Sequence, residues 1–117
     1  MNSNIKVIAP QGILDGAKAV DFRSEVNLSV QEKTEIILID FSDVTFMDSS
    51  GLGALVLALK TIRSAGKKMC LCSVNEQIKM LFELTSMDRV FDIFRDRAEF
   101  EQKSLLENLP QKSPKSI

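Results

Sequence analysis

The stretch Phe46-Met47-Asp48-Ser49-Ser50-Gly51-Leu52-Gly53 places two serines between a predicted strand and a predicted helix. The apolar run at residues 36–41 is typical of a buried strand, and apolar residues recur at helical spacing after the serines, at Leu52, Leu55, Val56, Leu59 and Ile62. Free amides and the positive end of the helix dipole favour an anion at a helix N-terminus. A phosphate on serine adds about −1.5 to −2 charges, so this stretch is well suited to hold a phosphoryl group.

Apolar segments around this stretch predict alternating strands and helices. Ile5–Ile8 and Gly12–Leu14 are predicted to be strands that form a hairpin-like edge, because Pro10 between them cannot donate to a sheet ladder. The second helix is expected to run to about Ser64 and to stop at Gly66. The first helix precedes it, and its buried stripe is predicted at Ala19, Phe22, Val26 and Val30.

The second half of the chain continues this alternation. Lys68–Cys72 is predicted to be a strand, and the Ser-x-x-Glu spacing of Ser73 and Glu76 predicts a capping box that opens the next helix. Residues 90–94 predict a last strand, and a similar capping spacing at residues 96–99 predicts the start of a final helix. Three further apolar side chains are assigned to the core or its rim, namely Met80, Leu84 and Met87.

The alternation of elements predicts the fold class. Strands that alternate with helices need crossover connections, which favour a mainly parallel sheet, so we expect a small α/β domain. A chain of 117 residues has room for one such domain, which we assign to residues 1–109. Residues 110–117 have no apolar period and are expected to form a disordered C-terminal tail.

Composition narrows the classes of function. The net charge of −1 provides no basic field, which argues against binding to nucleic acid. No apolar run approaches the ~20 residues of a membrane span, and the first four residues lack the pattern of a secretory signal. We therefore expect a cytoplasmic protein without direct membrane insertion.

The chain has two cysteines and no histidine. The missing histidine removes Ser-His-Asp and Cys-His catalysis, and a zinc site would lack ligands. Cys70 and Cys72 are expected to point to opposite faces of one strand as buried thiols. Four carboxylates could in principle bind a hard cation, namely Asp15, Asp40, Asp43 and Asp48. They form no dense run of ligands, so neither a metal site nor a cofactor is predicted.

Helix capping explains part of the serine stretch without any further function. Asp and Ser commonly cap helices, and Gly51 relaxes the turn. Capping is compatible with a functional role if Ser50 caps the helix while Ser49 presents its hydroxyl to a partner. A nucleotide-binding glycine loop is disfavoured because its Lys-Ser/Thr ending is absent. An enzyme that uses Asp48 and Ser49 is disfavoured as well, since no general base accompanies them.

The string from Met47 to Gly53 resembles the signature of STAS domains of the bacterial anti-sigma-factor antagonist type. Residues 12–15, Gly-Ile-Leu-Asp, stand where this family has a Gly-x-Leu/Ile-Asp turn, and the order of elements follows the family to about Leu109. The resemblance implies a single STAS domain, with a small mixed, mainly parallel sheet and helices packed mainly on one side. The first predicted strand starts close to Met1, so we expect a shorter N-terminal extended segment than is usual in the family.

The resemblance also implies a function. In this family the serine directly after the aspartate is phosphorylated, which falls on Ser49, and its expected surroundings are Asp15, Asp48, Ser50 and Gly51. The unphosphorylated form of such a protein binds an anti-sigma factor with serine kinase activity and so releases that factor's client. Phosphorylation weakens the complex, and a serine phosphatase resets it. The chain would then be a binding switch with no catalytic residues.

The helix that follows the serines offers a candidate partner surface. Gly53 and Ala54 are small, and Leu57 is predicted to lie opposite the core stripe, so these residues are expected to contact a partner next to Ser49. A second hypothesis is a constitutive STAS subunit of a membrane transporter or signalling scaffold. Binding by such a subunit would be indifferent to Ser49→Ala.

Overall fold

The computed structural model describes residues 4–107. Two strands precede each of the first two helices, single strands and helices alternate after that, and a short 3-10 turn at Met87–Arg89 precedes the last strand. The strands are β1 (Ile5–Ile8), β2 (Gly12–Leu14), β3 (Ile36–Asp40), β4 (Val44–Met47), β5 (Lys68–Cys72) and β6 (Asp92–Phe94). The helices are α1 (Gly16–Ser29), α2 (Ser49–Ser64), α3 (Glu76–Leu84) and α4 (Arg97–Glu107).

The strands pair in parallel, which confirms the predicted α/β class. One sheet has the order β1-β3-β5-β6, and β2 and β4 form a separate pair. The predicted hairpin of β1 and β2 is wrong, because β1 pairs with β3 and β2 pairs with β4. The Gly12 N–H donates to the Asp43 carbonyl at 2.8 Å, which aligns β2 with the segment that leads to the serines.

Alternate residues of the central strands face two apolar layers. In β3, Ile37 and Ile39 face the larger layer, which α1, α2 and α3 cover. Leu38 faces the smaller layer together with Cys70 and Cys72, and Phe100 of α4 packs there. Three helices thus lie on one side of the sheet and α4 on the other. The predicted opposite orientation of the two cysteines is wrong, because residues two positions apart in a strand share a face.

Helices α1 and α2 follow the predicted apolar stripes. In α1 the stripe is buried at Ala19, Phe22 and Val26, and Val30 is half-buried. Helix α2 begins at Ser49 and ends at Ser64, as predicted. Gly66 then turns the chain with φ of +77°, a conformation in which a Cβ would be strained.

Three predicted details of the second half differ from the structure. The cap of α3 is Asn75, whose side chain accepts from the Ile78 N–H, and not Ser73. Strand β6 begins at residue 92 and not at residue 90, because the N–H groups of Val90 and Phe91 donate to the Met87 carbonyl and not to a neighbouring strand. Met80 and Leu84 are 57% and 78% exposed, so they lie outside the core, whereas Met87 packs at its edge.

A capping box opens α4, as predicted. Asp96 Oδ1 accepts from the Glu99 N–H at 2.9 Å, and Glu99 Oε1 accepts from the Arg95 N–H at 2.6 Å. The Phe100 ring packs edge-on against Phe94, with centroids 5.4 Å apart. These contacts fix the start of α4 on the sheet. The end of this helix relative to Pro110 and the predicted C-terminal tail lie outside the described residues.

A buried carboxylate also ties α4 to the sheet. Asp40, at the end of β3, accepts from the Ser42 N–H and hydroxyl, and the Arg97 Nε donates to it at 2.9 Å. Burial alone would raise the pKa of Asp40, but the hydrogen bonds from Ser42 and Arg97 outweigh it and lower the pKa. Cys72 lies beside this carboxylate, and burial together with the Asp40 charge raises the pKa of its thiol to about 11.

Candidate functional site

Two aspartates begin two helices at one corner of the molecule. Because β2 and β4 run in parallel with Leu14 opposite Met47, the next residues, Asp15 and Asp48, leave the strands side by side. Asp15 caps α1 by accepting from the Lys18 N–H at 3.1 Å. Asp48 caps α2 by accepting from the Gly51 N–H at 3.0 Å. The structure therefore brings Asp15 to the same corner as the serines.

Ser49 and Ser50 are the first two residues of α2, and both are exposed. The proposed cap by Ser50 is wrong, because the side chain of Asp48 occupies that role. Within residues 4–107, no hydrogen bond involves the N–H of either serine or joins Asp48 to the Ser49 hydroxyl. Two free amides and the positive end of the α2 dipole therefore lie beside the serine hydroxyls.

Gly51 is fixed by a close approach of two backbones. A Cβ at this position would lie 2.2 Å from the Leu14 carbonyl oxygen and 3.0 Å from the Met47 Cγ. A side chain would collide with backbone, which cannot move away as the end of a flexible side chain can. Glycine at this position lets the first turn of α2 lie directly against the end of β2.

Two amide side chains at the start of α3, those of its cap Asn75 and of Gln77, complete the corner, and the sequence analysis missed both. Gln77 makes two hydrogen bonds to the backbone of Met47, each at 2.9 Å. The Asn75 Nδ2 donates to the carbonyls of Val44 and Thr45 at 3.2 and 3.3 Å. These contacts span about 30 residues of sequence, so no local pattern could have indicated them.

The candidate partner surface borders a shallow groove between α1 and α2. The groove has a volume of about 500 Å³, and Ser50, Gly53, Leu57 and Arg23 line it. Gly53 and Leu57 are exposed, whereas Ala54 is only 4% exposed and forms the floor. A Cβ at Gly53 would meet no atom within 4 Å, so glycine is not required there by packing within the chain.

Two further properties of residues 4–107 bear on function. This part of the chain has no group of three or more His, Cys, Asp or Glu side chains arranged to hold a metal ion. None of its helices is long and apolar enough to cross a membrane.

Comparison with known proteins identifies the family of the chain. The family model for the STAS domain matches residues 1–100, and the chain belongs to this family. The anti-sigma F factor antagonist of Paenibacillus polymyxa is 26% identical over 91 residues, which cover 77% of this chain and 78% of that protein.

Solved structures share the fold. The crystal structure of a candidate anti-sigma factor antagonist from Thermotoga maritima has a TM-score of 0.78 and 28% identity, covering 86% of this chain and 87% of that one. A sulfate transporter family protein from Wolinella succinogenes has a TM-score of 0.77 at 14% identity, covering 91% and 90% of the two chains. The second likeness shows a common fold alone.

Proposed function

We propose that this protein is an anti-sigma-factor antagonist that is switched by phosphorylation of Ser49. The observation that carries the proposal is the position of Ser49, an exposed hydroxyl on the first residue of α2 beside two free backbone amides. The name of the Paenibacillus polymyxa relative supports the choice of partner class. In its unphosphorylated form the protein binds an anti-sigma factor with serine kinase activity and releases the client of that factor.

The chain supplies the phosphoryl acceptor, and the partner supplies ATP and the catalytic groups. A phosphate on Ser49 would gain from the amides and dipole of α2, but Asp48 next to it carries the same sign of charge. These opposed effects make the modification a local electrostatic change. A serine phosphatase then returns the protein to its binding form.

Phosphorylation would weaken binding because Ser49 directly precedes Ser50, which lines the groove. Gly53 is four residues after Ser49 and therefore lies one helical turn away, and Leu57 follows on the next turn. A partner that covers these residues would have to bury the phosphate or lie directly beside its charge. Both arrangements cost desolvation energy and disfavour the complex.

Mass spectrometry tests the site of modification. The wild-type protein, Ser49→Ala and Ser50→Ala would each be incubated with ATP and lysate from the native host, and the intact masses and peptides compared. We expect one phosphoryl group on the wild type and on Ser50→Ala, and none on Ser49→Ala. A phosphoryl group that persists in Ser49→Ala would refute the proposed site.

A constitutive STAS subunit of a membrane transporter or scaffold is the second candidate. The similarity to the Wolinella succinogenes protein supports this candidate only through the shared fold. This candidate predicts stable co-purification with membrane or oligomeric partners that Ser49→Ala does not change. If the wild type acquires no phosphate, this second candidate becomes the better one.

A further inference from the structure

Gln77, in the first turn of α3, binds the free edge of the strand that leads to the serines. The Met47 N–H donates to Gln77 Oε1 at 2.9 Å, and Gln77 Nε2 donates to the Met47 carbonyl at 2.9 Å. One side chain therefore makes both hydrogen bonds that a neighbouring strand would make with this residue. The Met47 side chain is fully buried, so the strand end is anchored by its backbone and by its side chain.

Met47 is held from two sides. On one side it pairs with Leu14 of β2, whose carbonyl also accepts from the Asp48 N–H at 3.4 Å. On the other side lies α3, where Gln77 binds the backbone of Met47 and Asn75 donates to the carbonyls of Val44 and Thr45. The end of β4 can therefore move away from α3 only if these hydrogen bonds break.

Met47 is two positions before Ser49. Asp48 lies between them and caps α2, so the start of α2 follows directly from the end of β4. We infer that Gln77 is a positioning residue for Ser49, which fixes the strand end from which the Ser49 hydroxyl is presented to a kinase. This inference rests on the proposed function, because it concerns the rate of phosphoryl transfer to Ser49.

The chemistry of the transfer makes such positioning important. The partner must place the attacking hydroxyl close to the phosphoryl group and in line with the leaving oxygen. A displacement of about 1 Å in such a step can lower the rate about a hundredfold. A role for Gln77 in folding alone would lower stability but would leave the rate for each folded molecule unchanged.

Gln77→Glu is the sharpest variant because it keeps the shape of the side chain. Its carboxylate can still accept from the Met47 N–H, but it has no hydrogen to donate and opposes the Met47 carbonyl. Protonation of the carboxyl at low pH restores a donor. Gln102→Glu, at an exposed position of α4, makes the same change of charge and serves as the matched control. Gln77→Met removes both hydrogen bonds without adding charge.

Hydrogen exchange measured by NMR on the isolated protein tests the hydrogen bonds between Gln77 and Met47 without any partner. We expect the protection factors of the hydrogen-bonded amides of Met47, Asp48 and Gly51 to fall about tenfold in Gln77→Glu at neutral pH and to recover as the carboxyl becomes protonated. Gln77→Met should show the loss at every pH, and Gln102→Glu should match the wild type. Unchanged protection in both Gln77 variants would overturn the inference. If Gln77→Glu is unfolded at neutral pH, Gln77→Met and the low-pH form of Gln77→Glu give the same test.

The initial rate of phosphorylation per folded molecule tests positioning. With ATP and host lysate, we expect this rate to fall about tenfold to a hundredfold in both Gln77 variants and to stay constant in Gln102→Glu. Lower protection with a wild-type rate would overturn the positioning role. If the wild-type protein itself is not phosphorylated, the proposed function fails. The hydrogen-exchange experiment alone then decides whether Gln77 orders the end of β4 and the start of α2.

Discussion

Gly51 packs against Leu14 so closely that a Cβ on the glycine would lie 2.2 Å from the Leu14 carbonyl oxygen. Gly51→Ala should therefore destabilise the protein by about 1–3 kcal/mol, because the backbone clash outweighs the better helix propensity of alanine. Gly53→Ala is the matched control, since its Cβ meets no atom within 4 Å. It should be neutral or stabilise by up to about 1 kcal/mol. Urea unfolding measures the free energy of unfolding of both variants. Equal values for Gly51→Ala and Gly53→Ala would contradict the close approach of Gly51 to Leu14.

The cap of α2 predicts a difference between two substitutions of Asp48. Asp48→Ala removes the acceptor of the Gly51 N–H and should cost about 1 kcal/mol of unfolding free energy. Asp48→Asn keeps a capping oxygen and should remain close to the wild type. Thermal unfolding at neutral pH compares the three proteins. A loss of similar size in both variants would show that the charge matters more than the hydrogen bond.

The pair of Asp40 and Arg97 predicts how stability depends on pH. Because the pKa of Asp40 is lowered in the folded protein, its contribution is present above the ordinary value of 3.8 and is lost as pH falls through the lowered pKa. Arg97→Ala should lower the free energy of unfolding by about 1–3 kcal/mol at neutral pH. It should also shift acid unfolding to higher pH, because burial raises the pKa of Asp40 and the hydrogen bond from Arg97 would no longer lower it.

Urea midpoints measured between about pH 3 and pH 7 test this expectation. Arg95→Ala is the control, since Arg95 is 75% exposed and pairs with Asp96 at 3.6 Å. It should change stability by less than about 0.5 kcal/mol. Acid unfolding at the wild-type pH in Arg97→Ala would argue against a stabilising role for the pair.

The buried thiols should react slowly in the folded protein. Cys70 and Cys72 are both at most 1% exposed, and the pKa of Cys72 is raised to about 11 by burial and by Asp40. At pH 8 a thiol-specific reagent should label them only as fast as the protein opens, because the thiolate is the reacting form. Both should react at once in denaturant. Rapid labelling under native conditions would contradict the packing of α4 over this layer.

Local patterns predicted the strands and helices of this fold better than they predicted which elements pack or pair with each other. The apolar period of α2 and the alternation of strands and helices were sufficient for the α/β class, because they reflect burial of one face. The pairing of β2 with β4 was missed, since a three-residue strand has too few side chains to specify a neighbour. Met80 and Leu84 were misassigned because helical spacing indicates a shared face but not whether anything covers it.

The site was predicted in part for similar reasons. The position of Ser49 at the start of α2 follows from the sequence, and so does the aspartate before it. That Asp48 and not Ser50 caps the helix depends on backbone geometry that either residue could satisfy. The contacts of Gln77 with Met47 depend on the packing of α3 against β4, which only the folded chain brings together.

The affinity of the phosphorylated protein for its kinase tests the switch most directly. The protein would be phosphorylated on Ser49, separated from the unmodified form, and titrated by calorimetry into the purified anti-sigma factor that modifies it, with Ser49→Ala as the control. We expect the phosphorylated form to bind at least about tenfold more weakly than the unmodified form, and Ser49→Ala to bind like the unmodified form. Equal affinities of the phosphorylated and unmodified forms would contradict the switch.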